Sequence, residues 1–150
     1  GDAYHITAPA AEGEGAQRAV KMALSDAQVN PTDIGYVNAH GTSTKLNDKN
    51  ESIAIKSTFG DHAYQVNISS TKSMTGHLLG AAGAIELIAS VDAMNNNYIP
   101  PTINYHTQDD DCDLNYTPNE AIDASFDVTM SNSFGFGGHN AVLITKKFAG

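Results

Sequence analysis

Apolar positions recur every three to four residues between Ala11 and Ala27, where Ala16, Ala19, Val20, Ala23, Leu24 and Ala27 form one stripe. That period predicts a one-faced helix. Asn30-Pro31 ends it, because proline cannot continue a helix and biases its predecessor towards extended geometry. Ile34 to Ala39 is a short apolar run of the kind buried on both faces of a parallel sheet. It leads into a polar loop, His40 to Thr44, and a second helix is predicted over Lys49 to Phe59, closed by Gly60. Tyr64 to Ser69 reads as another strand, followed by a polar loop from Ser70 to Thr75. From His77 to Asn95 the pattern changes. Leu78, Leu79, Ile85, Leu87, Ile88, Val91 and Met94 leave almost no polar face, which predicts a helix belonging to the interior of a larger protein. Asn95 to Glu120 is a long polar connection carrying Pro100, Pro101 and Pro118. Phe126–Ser133 and Asn140–Lys146 read as an antiparallel pair joined by a glycine-rich turn. The order is α-β-α-β-α-loop-β-β, with polar motifs at the strand ends, where open α/β sheets place ligands.

Composition narrows the function classes. The 150 residues match one domain, and 41% hydrophobic residues are enough for a core. Eight basic residues against 17 acidic ones, a net charge of −9, argue against nucleic acid, since neutralising phosphates takes clustered Lys and Arg. A single cysteine, Cys112, excludes an internal disulfide framework and a Cys-rich zinc site. No apolar run approaches the roughly 18 residues of a membrane span. The segment Gly1-Asp2-Ala3-Tyr4-His5 has no signal-peptide character. The expectation is a cytoplasmic protein with no nucleic-acid or membrane partner.

Three segments carry the chemistry: Asn38-Ala39-His40-Gly41-Thr42-Ser43-Thr44, Ser70-Thr71-Lys72-Ser73-Met74-Thr75-Gly76-His77, and Ser131-Asn132-Ser133-Phe134-Gly135-Phe136-Gly137-Gly138. Each alone is a weak signal. In this order, together with Cys112 to Glu120, the set resembles the C-terminal half of a type II β-ketoacyl-acyl-carrier-protein synthase, a thiolase-fold condensing enzyme. The resemblance covers residues 1–150 as one half-domain. It implies an α/β fold with a mixed five-stranded sheet flanked by helices, whose first strand is missing here or survives as a stub around Tyr4 to Ile6. That strand is expected to be central in the sheet. The family joins an acyl-enzyme to malonyl carrier protein by decarboxylative Claisen condensation in fatty acid biosynthesis, as an acyltransferase. Its nucleophilic cysteine lies in the N-terminal half, outside these residues. The implied partners are acyl carrier protein, that N-terminal half and a second copy in a homodimer. No organic cofactor is implied, because the acyl groups arrive on phosphopantetheine.

The site follows residue by residue. His40 leaves a buried strand into a loop, where an imidazole suits acid–base or hydrogen-bonding work; the resemblance makes it a donor to the malonyl thioester carbonyl. His77 is expected to start the third helix after an N-cap at Thr75, its ring kept neutral by the helix end. Two neutral donors on one carbonyl oxygen would form an oxyanion-type site. By resemblance Lys72 sets their electrostatics, Thr42 and Thr44 hold the pantetheine arm, and Phe136 gates the acyl pocket and completes an oxyanion hole. Without the motif these are a loop lysine, loop hydroxyls and a hairpin turn. Glu86 is an acid within an apolar helix, which is costly unless paired. Two readings stand: a Na or K ion held with Asn38, Ala39, Ser131 and Asn132, or a node of ordinary hydrogen bonds.

Two features are set aside. Asp109 to Asp113 with Glu120 imitates a calcium loop, yet Leu114 occupies the position that requires glycine. Cys112 has only acidic neighbours, which do not activate a thiol. Two rival functions remain: a polyketide-type ketosynthase, and a non-catalytic partner subunit of the chain-length-factor kind. The second loses catalytic residues, whereas His40, Lys72 and His77 are all present.

Overall fold

The computed structural model describes residues 1–148. A 3-10 turn at Ala11–Gly13 leads into α1 (Glu14–Ala27), which buries Gly15, Ala16, Val20 and Leu24 and ends on a left-handed Gln28. Asn30 to Asp33 form a tight turn in which the Asn30 N–H donates to the Asp33 carboxylate at 2.7 Å. Then come β1 (Tyr36–Asn38), α2 (Lys45–Phe59), β2 (Asn67–Ser69), the single-turn α3 (Lys72–Thr75) and α4 (Ala82–Asn96). Two short strands, β3 (Tyr98–Ile99) and β4 (Ile122–Asp123), pair on their own, and β5 (Val128–Gly135) with β6 (His139–Lys146) completes the chain.

The main sheet has the order β2-β1-β5-β6. β1 is parallel to both β2 and β5, with Val37 opposite Ile68 and Met130, while β6 is antiparallel to β5. Alternation along β1 sends successive side chains to opposite faces. Val37 joins Val20, Leu24, Ile55, Phe59, Ile68 and Met130 in the larger core against α1 and α2. Tyr36 instead packs with Ala93, Met94, Ile99 and Phe126 on the α4 side. The result is a mixed sheet between helices, as the sequence implies.

Several boundaries differ from the sequence reading. α2 starts four residues early, at Lys45, because its first turn is polar apart from an exposed Leu46 and shows no apolar period. The Ser70–Thr75 loop contains α3, and the long connection hides β3. The third predicted helix starts at Ala82, not at His77: positive φ angles at Gly76 (+73°) and Leu79 (+51°) hold the intervening residues out of the helix. Among the described residues the sheet has four strands, as expected when the opening strand of five is missing, and Tyr4 to Ile6 form no stub of it. The expected central place for an opening strand is also corrected, since β1 pairs directly with β5 and leaves no gap. The helix expected in the interior of a larger protein instead leaves apolar side chains uncovered here, with Met74, Leu78, Leu79, Ile85 and Ile88 all open to solvent.

Candidate active site

The three motifs meet because β1, β2 and β5 run parallel and end at one edge. His40 follows β1, Lys72 follows β2, and Phe134 lies near the end of β5. The loop after β1 turns at Gly41, whose φ is +40° and whose Cβ position would lie 2.5 Å from the Ser70 Cβ. Only glycine fits there. The Ser70 hydroxyl donates to the Gly41 carbonyl at 2.7 Å, tying the first two motif loops together.

His40 is buried, its ring edge-on to His77 at 5.6 Å between centroids and 84° between planes. Phe134 meets it at 5.9 Å. Burial lowers the His40 pKa to about 4, helped by the positive charge of Lys72 and by His77. The ring is therefore neutral at physiological pH and carries one N–H. His77 is exposed and does not start a helix, contrary to the sequence expectation. Its Nδ1 accepts the backbone N–H of Leu79 at 3.1 Å, which leaves the proton of the neutral ring on Nε2. Lys72 is buried and donates to Glu86 Oε1. Burial pushes the Glu86 carboxyl up, and the Lys72 contact works against that. The three residues converge as expected.

Glu86 is buried, but the carboxylate meets Lys72 instead of the asparagines. Asn38 donates to the Glu86 backbone oxygen at 3.2 Å, and Asn132 donates to Glu51 at 3.0 Å. Of the residues expected around a cation, Asn132 thus meets the Glu51 carboxylate and Asn38 the Glu86 backbone. Two buried acceptors among them, Glu86 Oε2 and Asn132 Oδ1, have no hydrogen-bond partner among the described residues.

A cavity of about 820 Å³ opens beside this centre, lined by Thr42, Lys72, His77, Thr102, Tyr105 and His106, among others. Thr42 and Thr44 share a hydrogen bond of 3.0 Å, but Thr44 does not line the cavity. Phe136 is 75% exposed and outside the lining; the aromatic that meets His40 is Phe134. Cys112 lines the cavity and accepts a contact from the Ser52 hydroxyl at 3.6 Å. Burial raises its pKa, the opposite of an activated thiol. The acidic loop around it is anchored by Lys49–Asp111 at 3.0 Å and Lys56–Asp113 at 2.7 Å. Among the described residues no cluster of three His, Cys, Asp or Glu could hold a metal.

The sequence reading missed Phe134 as a contact of His40, and it missed Glu51. The signal for Glu51 was available: Glu51, Ile55 and Phe59 follow at four-residue spacing, putting an acid in the buried stripe of α2. The same anomaly pointed to Glu86.

A chain with two facing imidazoles and a buried Lys–Glu pair at the edge of a mixed sheet has clear relatives. Residues 1–106 match the family described as Beta-ketoacyl synthase, C-terminal domain, and the chain belongs to that family. It is 58% identical over 148 residues to a 3-oxoacyl-[acyl-carrier-protein] synthase 2 of Staphylococcus aureus, covering 99% of this chain and 36% of the relative. The synthase 2 of Synechocystis is 54% identical over 147 residues, covering 98% and 35%. Among solved structures, one described as a type II PKS acyl-carrier protein in complex with its ketosynthase bound to the hexaketide superposes with a TM-score of 0.95 at 44% identity. That match covers 99% of this chain and 36% of the other. The chain spans about a third of the length of these relatives. No helix among the described residues is long and apolar enough to cross a membrane.

Proposed function

We propose that this chain is the malonyl-activating part of a type II 3-oxoacyl-acyl-carrier-protein synthase acting in fatty acid elongation. The observation that carries the reading is the edge-on approach of His40 and His77, with Lys72 buried behind them. The malonyl thioester carbonyl oxygen accepts hydrogen bonds from both rings at the cavity wall. The bond from its α-carbon to the carboxylate breaks, carbon dioxide leaves, and the electron pair moves to the carbonyl oxygen as an enolate. Two imidazole N–H donors stabilise that charge without giving up a proton. The enolate carbon then attacks an acyl-cysteine thioester, forming the carbon–carbon bond and expelling the thiolate.

The acyl-cysteine comes from the N-terminal part of the synthase, because Cys112 has a raised pKa and no base at hand. The 150 residues alone therefore do not condense. The cavity beside His77, with Thr42 in its wall, receives the pantetheine arm of acyl carrier protein, and the full synthase works as a cytoplasmic homodimer. Glu86 Oε2 and Asn132 Oδ1 are the buried oxygens that a Na or K ion would complete, together with Asn38, Ala39 and Ser131; such an ion would supply positive charge beside the developing enolate.

Fatty acid elongation is preferred over polyketide synthesis because identity to the synthase 2 relatives, 58% and 54%, exceeds the 44% to the polyketide structure. In the full-length synthase, His77→Ala should lower single-turnover release of carbon dioxide from malonyl carrier protein by roughly 10²- to 10³-fold. Acyl loading of the cysteine should persist. Unchanged decarboxylation would contradict the assignment.

A further inference from the structure

The walls of the cavity beside His77 grade from buried to exposed. Lys72 lies deep in it, held by Glu86. Along the loop after β1, Thr42 is half-buried, while Ser43 and Lys45 are exposed. Along the segment after β3, Thr102 is half-buried and His106 exposed. Lys45, the first residue of α2, therefore belongs to the rim. Three carboxylates line the same cavity, and backbone amides engage each of them. Glu51 accepts the N–H groups of His40 and Gly41, both at 2.9 Å. Asp48 accepts those of Ser43 and Thr44, and Asp109 accepts that of Asp111 at 2.9 Å. Among the described residues no carboxylate lies within ion-pairing distance of Lys45. Lys49 and Lys56, the other lysines of α2, are taken by Asp111 and Asp113. Of the two lysines in the cavity wall, Lys72 is committed to Glu86 and Lys45 is not.

We propose that Lys45 receives the phosphate of the phosphopantetheine arm at the mouth of the cavity. The proposal rests on the function proposed above, which brings the thioester end of that arm to His77. The other end is a phosphodiester, fixed to a carrier that stays outside, so its negative charge stops at the rim. There it meets a chain of net charge −9 and the exposed Asp109. A phosphate in such a setting needs a cation, and a lysine ammonium on its flexible stem serves as a point charge for one. Lys72 cannot serve, because Glu86 holds it in the interior. The backbone ahead of α2 cannot replace it, because Asp48 already occupies the amides of Ser43 and Thr44. Lys45 thus acts on binding, away from the reacting atoms. An interaction made equally in ground state and transition state shows in KM and not in kcat.

The test measures kcat and KM for carbon dioxide release by the full-length synthase from malonyl carrier protein, malonyl-phosphopantetheine and malonyl-pantetheine. The two small donors differ only in the phosphate. Wild type should favour the phosphorylated one by roughly 2- to 5-fold in kcat/KM, the range of an exposed charge pair. Lys45→Gln should abolish that preference by raising KM for the phosphorylated donors, with kcat held. Lys45→Glu should reverse the preference and Lys45→Arg should keep it. Added salt should shrink it in wild type and change nothing in Lys45→Gln. A preference that survives in Lys45→Gln overturns the proposal, even if turnover of malonyl carrier protein falls, because Lys45 would then touch the carrier's surface and not the phosphate. Equal slowing on malonyl-pantetheine overturns it as well, since the side chain would then be structural. Wild type that treats both small donors alike also overturns it. Each of these results leaves the decarboxylating role of His40 and His77 standing. Failure of the wild-type synthase to release carbon dioxide from any of the three donors would contradict the functional reading, and this proposal with it.

Discussion

Helices α1 and α4 lie on opposite faces of the same sheet and use polarity in opposite ways. α1 buries Ala16, Val20 and Leu24 while Arg18, Lys21 and Asp26 face solvent, the ordinary arrangement for a helix at a protein surface. α4 buries Glu86 and Ser90 alongside Ala93 and Met94, and exposes Ile85 and Ile88, the latter 64%. Its polar groups point inward because they have work there. Glu86 takes the Lys72 ammonium, its backbone oxygen takes Asn38 and the Ser90 hydroxyl, and Lys72 bears on His40. Its exposed apolar side chains, continued by Leu78 and Leu79, form the kind of contiguous patch that marks a contact surface. A helix that serves the core and a helix that serves a site can be told apart by which residues they hide.

The comparison breaks most easily at Glu86. Glu86→Ala leaves a buried ammonium without its partner and should destabilise the chain by about 3–5 kcal/mol in urea unfolding. Replacing both partners, as Lys72→Met/Glu86→Leu, should recover most of that loss, because the buried pair is not itself a large source of stability. A Glu86→Ala cost below 1 kcal/mol would mean that the two groups are solvated. On α1 the corresponding change is a cavity: Leu24→Ala should cost about 2–5 kcal/mol, without the rescue a second substitution gives the ion pair. The smallest effect belongs to the exposed face of α4. Ile88→Ser should alter stability by no more than about 0.5 kcal/mol while reducing self-association in light scattering. A large loss of stability there would mean that Ile88 is part of the core.

The sequence showed α1, the α4 core segment and the β5–β6 hairpin because each has a period that burial enforces. It also showed which loops meet, since the motif residues sit at the ends of parallel strands. The start of α2 was hidden because Lys45 to Asp48 make a turn without an apolar period, held by hydrogen bonds such as Asp48 N–H to the Thr44 carbonyl at 3.0 Å and the Asn50 side chain to the Leu46 carbonyl at 2.9 Å. The start of α4 was hidden because a left-handed Leu79 is a feature of tertiary structure that an apolar pattern does not encode. His77 was therefore given the right chemistry for the wrong reason: a backbone N–H, not a helix end, selects its tautomer. The partners of Glu86 and Glu51 depend on which loops cross, and composition is silent on that.

The central claim is that His40 is a neutral imidazole and that His77, edge-on to it, offers its Nε2–H to the same site. Histidine ¹⁵N and ¹³C chemical shifts followed through an acid titration test it directly. The His40 ring should stay neutral from its ordinary value of 6.5 down to about pH 4. Stability should fall over that same window, since the unfolded chain takes up a proton that the folded ring refuses. In its neutral form, the His77 ring should show the Nε2–H tautomer. An imidazolium at His40 near pH 6, or a proton on His77 Nδ1, would contradict the account.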